Sequence, residues 1–211
     1  MTIASEEAAR EYIAEIGGAA SLDRLELLGA RLKEENGRQN LVASGSLEEM
    51  WVRHFADSAQ LLHFVPRETK GTWLDLGSGA GFPGLVLAIL RPEMDFALIE
   101  SRKLRVDWLE RMKAELQLEN CCIEGARLEL VETLGAAAIS ARAFAPLAKL
   151  LRLSARFSTG DTYWVLPKGR SAAQEVRELP KRESEMFHVE HSVTDPEAGI
   201  IVGRGKVRDK T

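Results

Sequence analysis

The stretch Trp73-Leu74-Asp75-Leu76-Gly77-Ser78-Gly79-Ala80-Gly81-Phe82-Pro83-Gly84 decides how the rest of the chain is read. An apolar strand ends at Leu76 and runs into a turn with glycine at every second position. The apolar run Leu85 to Leu90 then reads as a buried helix. Glycines there let the backbone turn tightly and approach a ligand where a Cβ would collide. A helix N-terminus aimed at the turn offers free backbone N–H groups to polar ligand atoms. The ligand is therefore expected at the C-terminal end of this strand.

Spacing narrows the ligand class. The dinucleotide pattern G-x-G-x-x-G would need glycine where Phe82 stands, and the phosphate-cradling P-loop needs Gly-Lys-Ser/Thr, which is missing. What stands here is D-x-G-x-G-x-G, which resembles motif I of the class I S-adenosylmethionine methyltransferases. A dinucleotide brings a pyrophosphate anion to such a turn. S-adenosylmethionine brings an amino-acid tail and a positive sulfonium, beside which Asp75 is tolerable and even useful.

Working outward, 211 residues with 45 % apolar side chains suffice for one substantial core with a small appendage. A formal net charge of −4 argues against indiscriminate coating of nucleic acid but leaves room for a local basic face. The two cysteines, adjacent at Cys121 and Cys122, cannot build a disulfide framework and suit a reducing, cytoplasmic setting as apolar fillers of a strand. The N-terminus has no signal-peptide pattern. No apolar run approaches the roughly 20 residues of a membrane span.

Residues 4–63 carry helical periodicity in Ile13 and Ile16, in Leu22, Leu25, Leu28 and Leu32, and in Met50, Phe55, Leu61 and Leu62. Gly17-Gly18 and the polar stretch Glu34 to Asn40 read as breaks, and Pro66 to Gly71 as a separator. Residues 1–65 are accordingly expected to form a helical N-terminal extension packed on a Rossmann-like domain, 66–211. Within that domain strands are predicted at 72–76, 95–99, 120–123, 136–141 and 161–166, and helices at 83–91, 102–117, 126–133, 146–156 and 171–179. Alternation of this kind means an α/β fold with a mostly parallel sheet. Met186 to Ser192 and Gly199 to Val207, joined by Asp195-Pro196-Glu197-Ala198-Gly199, read as a closing antiparallel hairpin.

Candidate site residues follow from strand ends. Glu100 closes the second strand about 20 residues beyond the turn, where a carboxylate meets ribose hydroxyls; the alternative is a cap on the next helix, and both roles can coexist. Leu128 and Glu129 follow strand three, where an adenine would lie against an apolar wall and main-chain N–H groups. An ordinary acidic helix start explains them as well. Strand four ends in Ser140-Ala141-Arg142-Ala143-Phe144-Ala145-Pro146. The Asn/Asp-Pro-Pro-Tyr/Phe segment used to methylate exocyclic amines is absent, and neither cysteine has the Pro-Cys context of carbon-5 methylation. An acceptor with its own in-plane lone pair, such as guanine N7, needs neither device. It needs alignment and desolvation.

Asn40-Leu41, Arg53-His54-x-x-Asp57-Ser58, the Phe82-Pro83-Gly84 ending, Glu100-Ser101, Arg127-Leu128-Glu129, Arg142-Ala143-Phe144-Ala145-Pro146-Leu147 and Pro167-Lys168-Gly169 stand in the order and spacing of one family. Through them the whole chain resembles the bacterial 16S ribosomal RNA guanine-N7 methyltransferases, once called glucose-inhibited division protein B. That resemblance implies S-adenosyl-L-methionine as cofactor and 16S RNA, in the 530-loop region of the small subunit, as acceptor. It places cofactor contacts on Gly77, Phe82, Leu128, Glu129 and Arg142, with Gly79 and Glu100 completing the pocket. Arg142 could hold the cofactor carboxylate, present the guanine by its acceptor edge, or form a structural ion pair. Arg142 and Lys168 are the positioning candidates.

Two departures qualify this likeness. Ser140 is separated from Arg142 by Ala141, so no role is assigned to it, and the segment between Arg127 and strand four is short. RNA contact is expected from Arg53, His54, Lys168 and Arg204, together with Arg102 to Arg105 and the basic tail to Lys210. His188 and His191 face opposite sides of a strand, so no metal is expected. A monomer is expected. The competing readings are a methyltransferase of small molecules or proteins, an NAD-binding oxidoreductase, and a non-catalytic ribosome-binding module.

Overall fold

The fold is that of a computed structural model, which describes residues 2–208. Seven strands form one sheet: β1 (Thr72–Leu76), β2 (Asp95–Ile99), β3 (Cys121–Glu124), β4 (Ala136–Ser140), β5 (Ser158–Gly169), β6 (Phe187–His191) and β7 (Gly199–Arg204). Their spatial order is β3-β2-β1-β4-β5-β7-β6. β1 to β5 run parallel, whereas β7 is antiparallel to both β5 and β6. The chain leaves β1 towards β2 and β3 and then returns to β4, so the order reverses at β1/β4. In sheets of this type ligands bind at that reversal, beyond the C-terminal strand ends.

The central strands are buried on both faces, which is why they read as near-continuous apolar runs. Helices Gly84–Leu90, Lys103–Glu115 and Leu147–Ser154 cover the sheet. The first of these is buried along its whole length.

A long helix, Glu6–Gln39, is capped at its start by Ser5, whose hydroxyl accepts from the Ala8 N–H. The expected break at Gly17-Gly18 is a kink at Gly18, with φ 69° and ψ −176°, and the helix continues beyond it. Contrary to expectation it also runs through Glu34 to Gln39, because buried Glu35 and Asn36 find partners: Arg111 pairs with Glu35, and Asn36 exchanges hydrogen bonds with the Val42 backbone. Residues 51–64 wind as a π-helix, Trp51–Ala56, through Asp57–Ala59 into a 3-10 turn, Gln60–Phe64. Ile13, Leu25, Leu28, Leu32 and Phe55 lie in the same hydrophobic cluster as Trp73, Leu85, Leu87 and Phe96.

The helix predicted at 126–133 does not form. Only a 3-10 turn, Leu128–Leu130, is present. Arg156 donates to the carbonyls of Leu128 and Val131 (2.5 and 2.8 Å), the acceptors a continuing helix would have used. The helix predicted at 171–179 is likewise cut to Ala172–Arg177, with Pro180 opening a separate turn, Lys181–Ser184.

Candidate active site

The glycine turn is built on Asp75. Its side chain is fully buried, its Oδ2 accepting the Gly84 N–H (3.2 Å) and its Oδ1 the Ser140 hydroxyl (2.8 Å). Burial pushes this carboxyl up, and the bonds it accepts oppose that shift. Ser140 in turn accepts from the Trp73 indole (3.0 Å), so the serine to which sequence gave no role ties β4 to the base of the turn. Gly77 and Ser78 both donate to the Ile99 carbonyl (2.8 and 3.1 Å), which pins the turn over β2.

Gly77 and Gly79 have φ of 69° and 58°, in the left-handed region. Gly81 has a packing role, since a Cβ there would meet Leu85 at 2.4 Å.

A cavity of about 220 Å³ opens at this edge, lined by Gly77, Glu100, Arg105, Ala126, Leu128 and Phe144 among others. Glu100 is buried. One carboxylate oxygen accepts the N–H groups of Ser101 and Arg102 (both 2.8 Å), the other that of Gly79 (3.1 Å). A carboxylate offers about four lone-pair sites, so one remains for a ligand hydroxyl, and capping and binding coexist. The donor set fits S-adenosylmethionine: left-handed glycines at the turn, an acid beside them, an apolar wall in Leu128, and no lysine of the kind that anchors a pyrophosphate.

The other predicted cofactor residues lie elsewhere. Glu129 is exposed, and the Phe82 ring turns away from the cavity to stack on His54, centroids 4.9 Å apart and planes 6° apart. Arg142 lines two neighbouring cavities instead.

Around Arg142 the structure gathers residues that are far apart in sequence. The guanidinium donates to His54 Nδ1 (3.2 and 3.3 Å) and to the Arg53 carbonyl (3.3 Å), lies 3.5 Å from Asp57 Oδ2, and stands over the Phe82 ring at 5.1 Å. Ser46 gives its one hydroxyl proton to the Ala43 carbonyl (2.7 Å), so it can only accept from His54 Nε2 (2.8 Å). The network thus assigns His54 the Nε2–H tautomer, with the Nδ1 lone pair facing Arg142. Burial, helped by Arg142 and Arg53, pushes His54 down to about 3. His54 is 7 % exposed and is therefore withdrawn from the RNA-facing residues. Burial lowers Arg142, with Asp57 opposing; burial also raises Asp57, which accepts from Thr194 (3.0 Å) and Gln60 (2.9 Å).

Lys168 is likewise internal. Its ammonium donates to the Ala145 carbonyl (2.5 Å) and pairs with Glu175 (3.0 Å), which also accepts the Leu147 N–H (2.6 Å). These contacts secure the loop after β4 and engage the ammonium within the protein. Arg204 pairs with Asp161 towards the N-terminal edge of the parallel strands, opposite the site. Lys210 lies outside the described residues. Arg53 remains exposed at the mouth, and Arg102 and Arg105 line the cofactor cavity. Among the described residues no group of three or more His, Cys, Asp or Glu could hold a metal, and no helix is long and apolar enough to cross a membrane.

A doubly wound sheet with an antiparallel closing hairpin, and an acid-flanked glycine turn at its order reversal, define a class I S-adenosylmethionine-dependent methyltransferase. A solved structure of such an enzyme from Aquifex aeolicus shares this fold with a TM-score of 0.54 at 16 % identity, covering 85 % of this chain and 98 % of that one. The chain belongs to the rRNA small subunit methyltransferase G family, whose model matches residues 21–198. Ribosomal RNA small subunit methyltransferase G of Erythrobacter litoralis is 61 % identical over 98 % of this chain and 99 % of its own length. The protein of the same name from Novosphingobium aromaticivorans is 54 % identical over 97 % and 90 %. The chain is thus an enzyme that methylates small-subunit ribosomal RNA with S-adenosylmethionine.

Proposed function

We propose that the methyl acceptor is N7 of a guanine in the 530-loop region of 16S ribosomal RNA. The observation that carries this is the chemistry at the end of β4, where Arg142 supplies N–H donors and, among the described residues, the nearby proton acceptors His54, Asp57 and Glu175 are already engaged. His54 Nδ1 faces Arg142, and Asp57 is engaged with Arg142, Thr194 and Gln60. Covalent catalysis finds no support either: Cys121 and Cys122 line none of the cavities beside the glycine turn and Arg142, and burial pushes both thiols up, that of Cys121 to about 12.

When bound, S-adenosylmethionine supplies a methyl on a sulfonium. Guanine N7 would accept the methyl on its own lone pair and take up the positive charge, so no proton has to leave and no general base is required. Gly77, Glu100 and Leu128 would hold the cofactor, with the Gly79 N–H fixing the Glu100 carboxylate. Arg142, fixed by His54 and Asp57, directs its free N–H groups at the acceptor edge of the base. Arg53 with Arg102 and Arg105 meets RNA phosphates. In this reading residues 1–65 are an extension that anchors Arg142 on a domain of residues 66–211, and the protein acts as a cytoplasmic monomer.

Mapping 7-methylguanosine in 16S RNA from cells with and without the gene tests the assignment. Loss of one 530-loop mark, restored by the wild-type protein but not by Arg142→Ala, is the expected result. An unchanged map, or label from the cofactor appearing on small metabolites, would refute it.

A further inference from the structure

The ring of Phe144 lies over Gly77, so close that a Cβ added at Gly77 would meet Phe144 Cδ2 at 2.5 Å. It forms a wall of two cavities at once. One is the cofactor cavity with Gly77, Glu100 and Leu128; the other is an open cavity of about 610 Å³, lined also by Arg142, Pro146, Pro167 and Lys168. Methyl transfer needs its reacting atoms within about 3–3.5 Å of one another, so the acceptor subsite must adjoin the cofactor cavity and open into it. Among the described residues Ala143 and Phe144 are the two that line both cavities, and of these only Phe144 has a π-face.

The loop that carries Phe144 is held at both ends and shaped in the middle. Arg142 is fixed by His54 and Asp57, and Ala145 and Leu147 are tied to Lys168 and Glu175. Between these anchors Ala143 adopts φ 53°, a left-handed conformation that a non-glycine residue holds only under constraint and that is common at functional sites. The half-buried ring is thus presented at a fixed height above the glycine turn. An aromatic face at the threshold of a pocket with a guanidinium suits a flat, electron-rich bicyclic base. Stacking on the ring would set the plane of the base, and Arg142 would set its rotation within that plane.

We propose that the open cavity beyond Phe144 is the acceptor-base subsite and that the target guanine, extruded from its RNA stack, lies against Phe144. This rests on the guanine-N7 reading above. Phe144 is then a binding residue for the substrate that fixes the acceptor plane.

The test uses the full chain with Phe144→Ala, Phe144→Leu and Phe144→Tyr, unmethylated small subunits, and S-adenosylmethionine as the calorimetric probe. Phe144→Ala and Phe144→Leu should each lose about tenfold to a hundredfold in kcat/KM for the subunit, the span of base–aromatic stacking, while cofactor Kd moves by less than about threefold; Phe144→Tyr should restore turnover. Leucine fills a similar volume without a π-face, so full activity in Phe144→Leu would overturn stacking. So would a cofactor Kd that rises in step with lost turnover, which would make the ring a cofactor wall only. If wild-type enzyme methylates the subunit elsewhere than guanine N7, the parent reading fails, whatever the Phe144 variants do.

Discussion

His54 presents a lone pair to a cation, and it can do so only while it stays neutral. Its Nε2 proton goes to Ser46, its Nδ1 receives Arg142, and its ring stacks on Phe82. Protonation would set an imidazolium against the guanidinium. A histidine held at about 3 when folded and near 6.5 when unfolded leaves the unfolded chain binding the extra proton between those values. Its contribution to stability is complete above about pH 6.5 and is lost as pH falls towards 3. By that linkage the fold should lose about 2 kcal/mol between pH 7.5 and pH 5 from this residue alone. In urea unfolding at the two pH values, His54→Asn should remove that part of the slope, because its amide oxygen offers an acceptor near Nδ1 that does not titrate. Equal slopes in the variant and the wild type would show that His54 is not held neutral. The asparagine should also retain more methylation activity than His54→Ala, which leaves Arg142 without its acceptor.

At the scale of elements, the π-helix Trp51–Ala56 carries His54 and ends just before Asp57, and its opening amides are held from a distance. Glu6 accepts the N–H groups of Trp51 (3.0 Å) and Val52 (2.9 Å) through its two carboxylate oxygens. Glu6→Ala should cost about 2 kcal/mol, as charge-assisted bonds to backbone donors do, with Glu6→Gln between it and the wild type; denaturant midpoints at constant m-value measure both. No loss in either variant would mean that the turn is set by its own packing. Such long-range clamps also mark what the sequence made legible. The five parallel strands and the hairpin could be placed because alternation and turn chemistry are local signals. The helix drawn at 126–133 failed because Arg156, more than 20 residues downstream, takes its carbonyls. Arg142 was identifiable as a site residue, but its partners lie 85 to 89 residues upstream, and nothing local in Arg53-His54-x-x-Asp57 separates an RNA contact from a buried anchor. The partners of Lys168 were hidden in the same way: Ala145 and Glu175 reach its ammonium only in the folded chain.

Across the whole molecule, the proposed division between a helical extension and a methyltransferase domain is one of labour and not of stability. Ile13, Leu25, Leu28, Leu32 and Phe55 are wholly buried, in one cluster with Trp73, Leu85, Leu87 and Phe96. Burial of five such side chains is worth about 2 kcal/mol each, so the contacts the extension makes are of the same order as the entire stability of a domain this size. Residues 66–211 expressed alone should therefore fail to give a cooperative unfolding transition or bind S-adenosylmethionine, although every residue proposed to line the cofactor cavity is retained. Adding residues 1–65 as a separate chain should restore both. The outcome that would overturn this is a soluble, cooperatively folding 66–211 fragment that binds cofactor as the full chain does. In that case the extension would serve Arg142 and the RNA alone, and the continuity of the core would be incidental to holding the glycine turn in place.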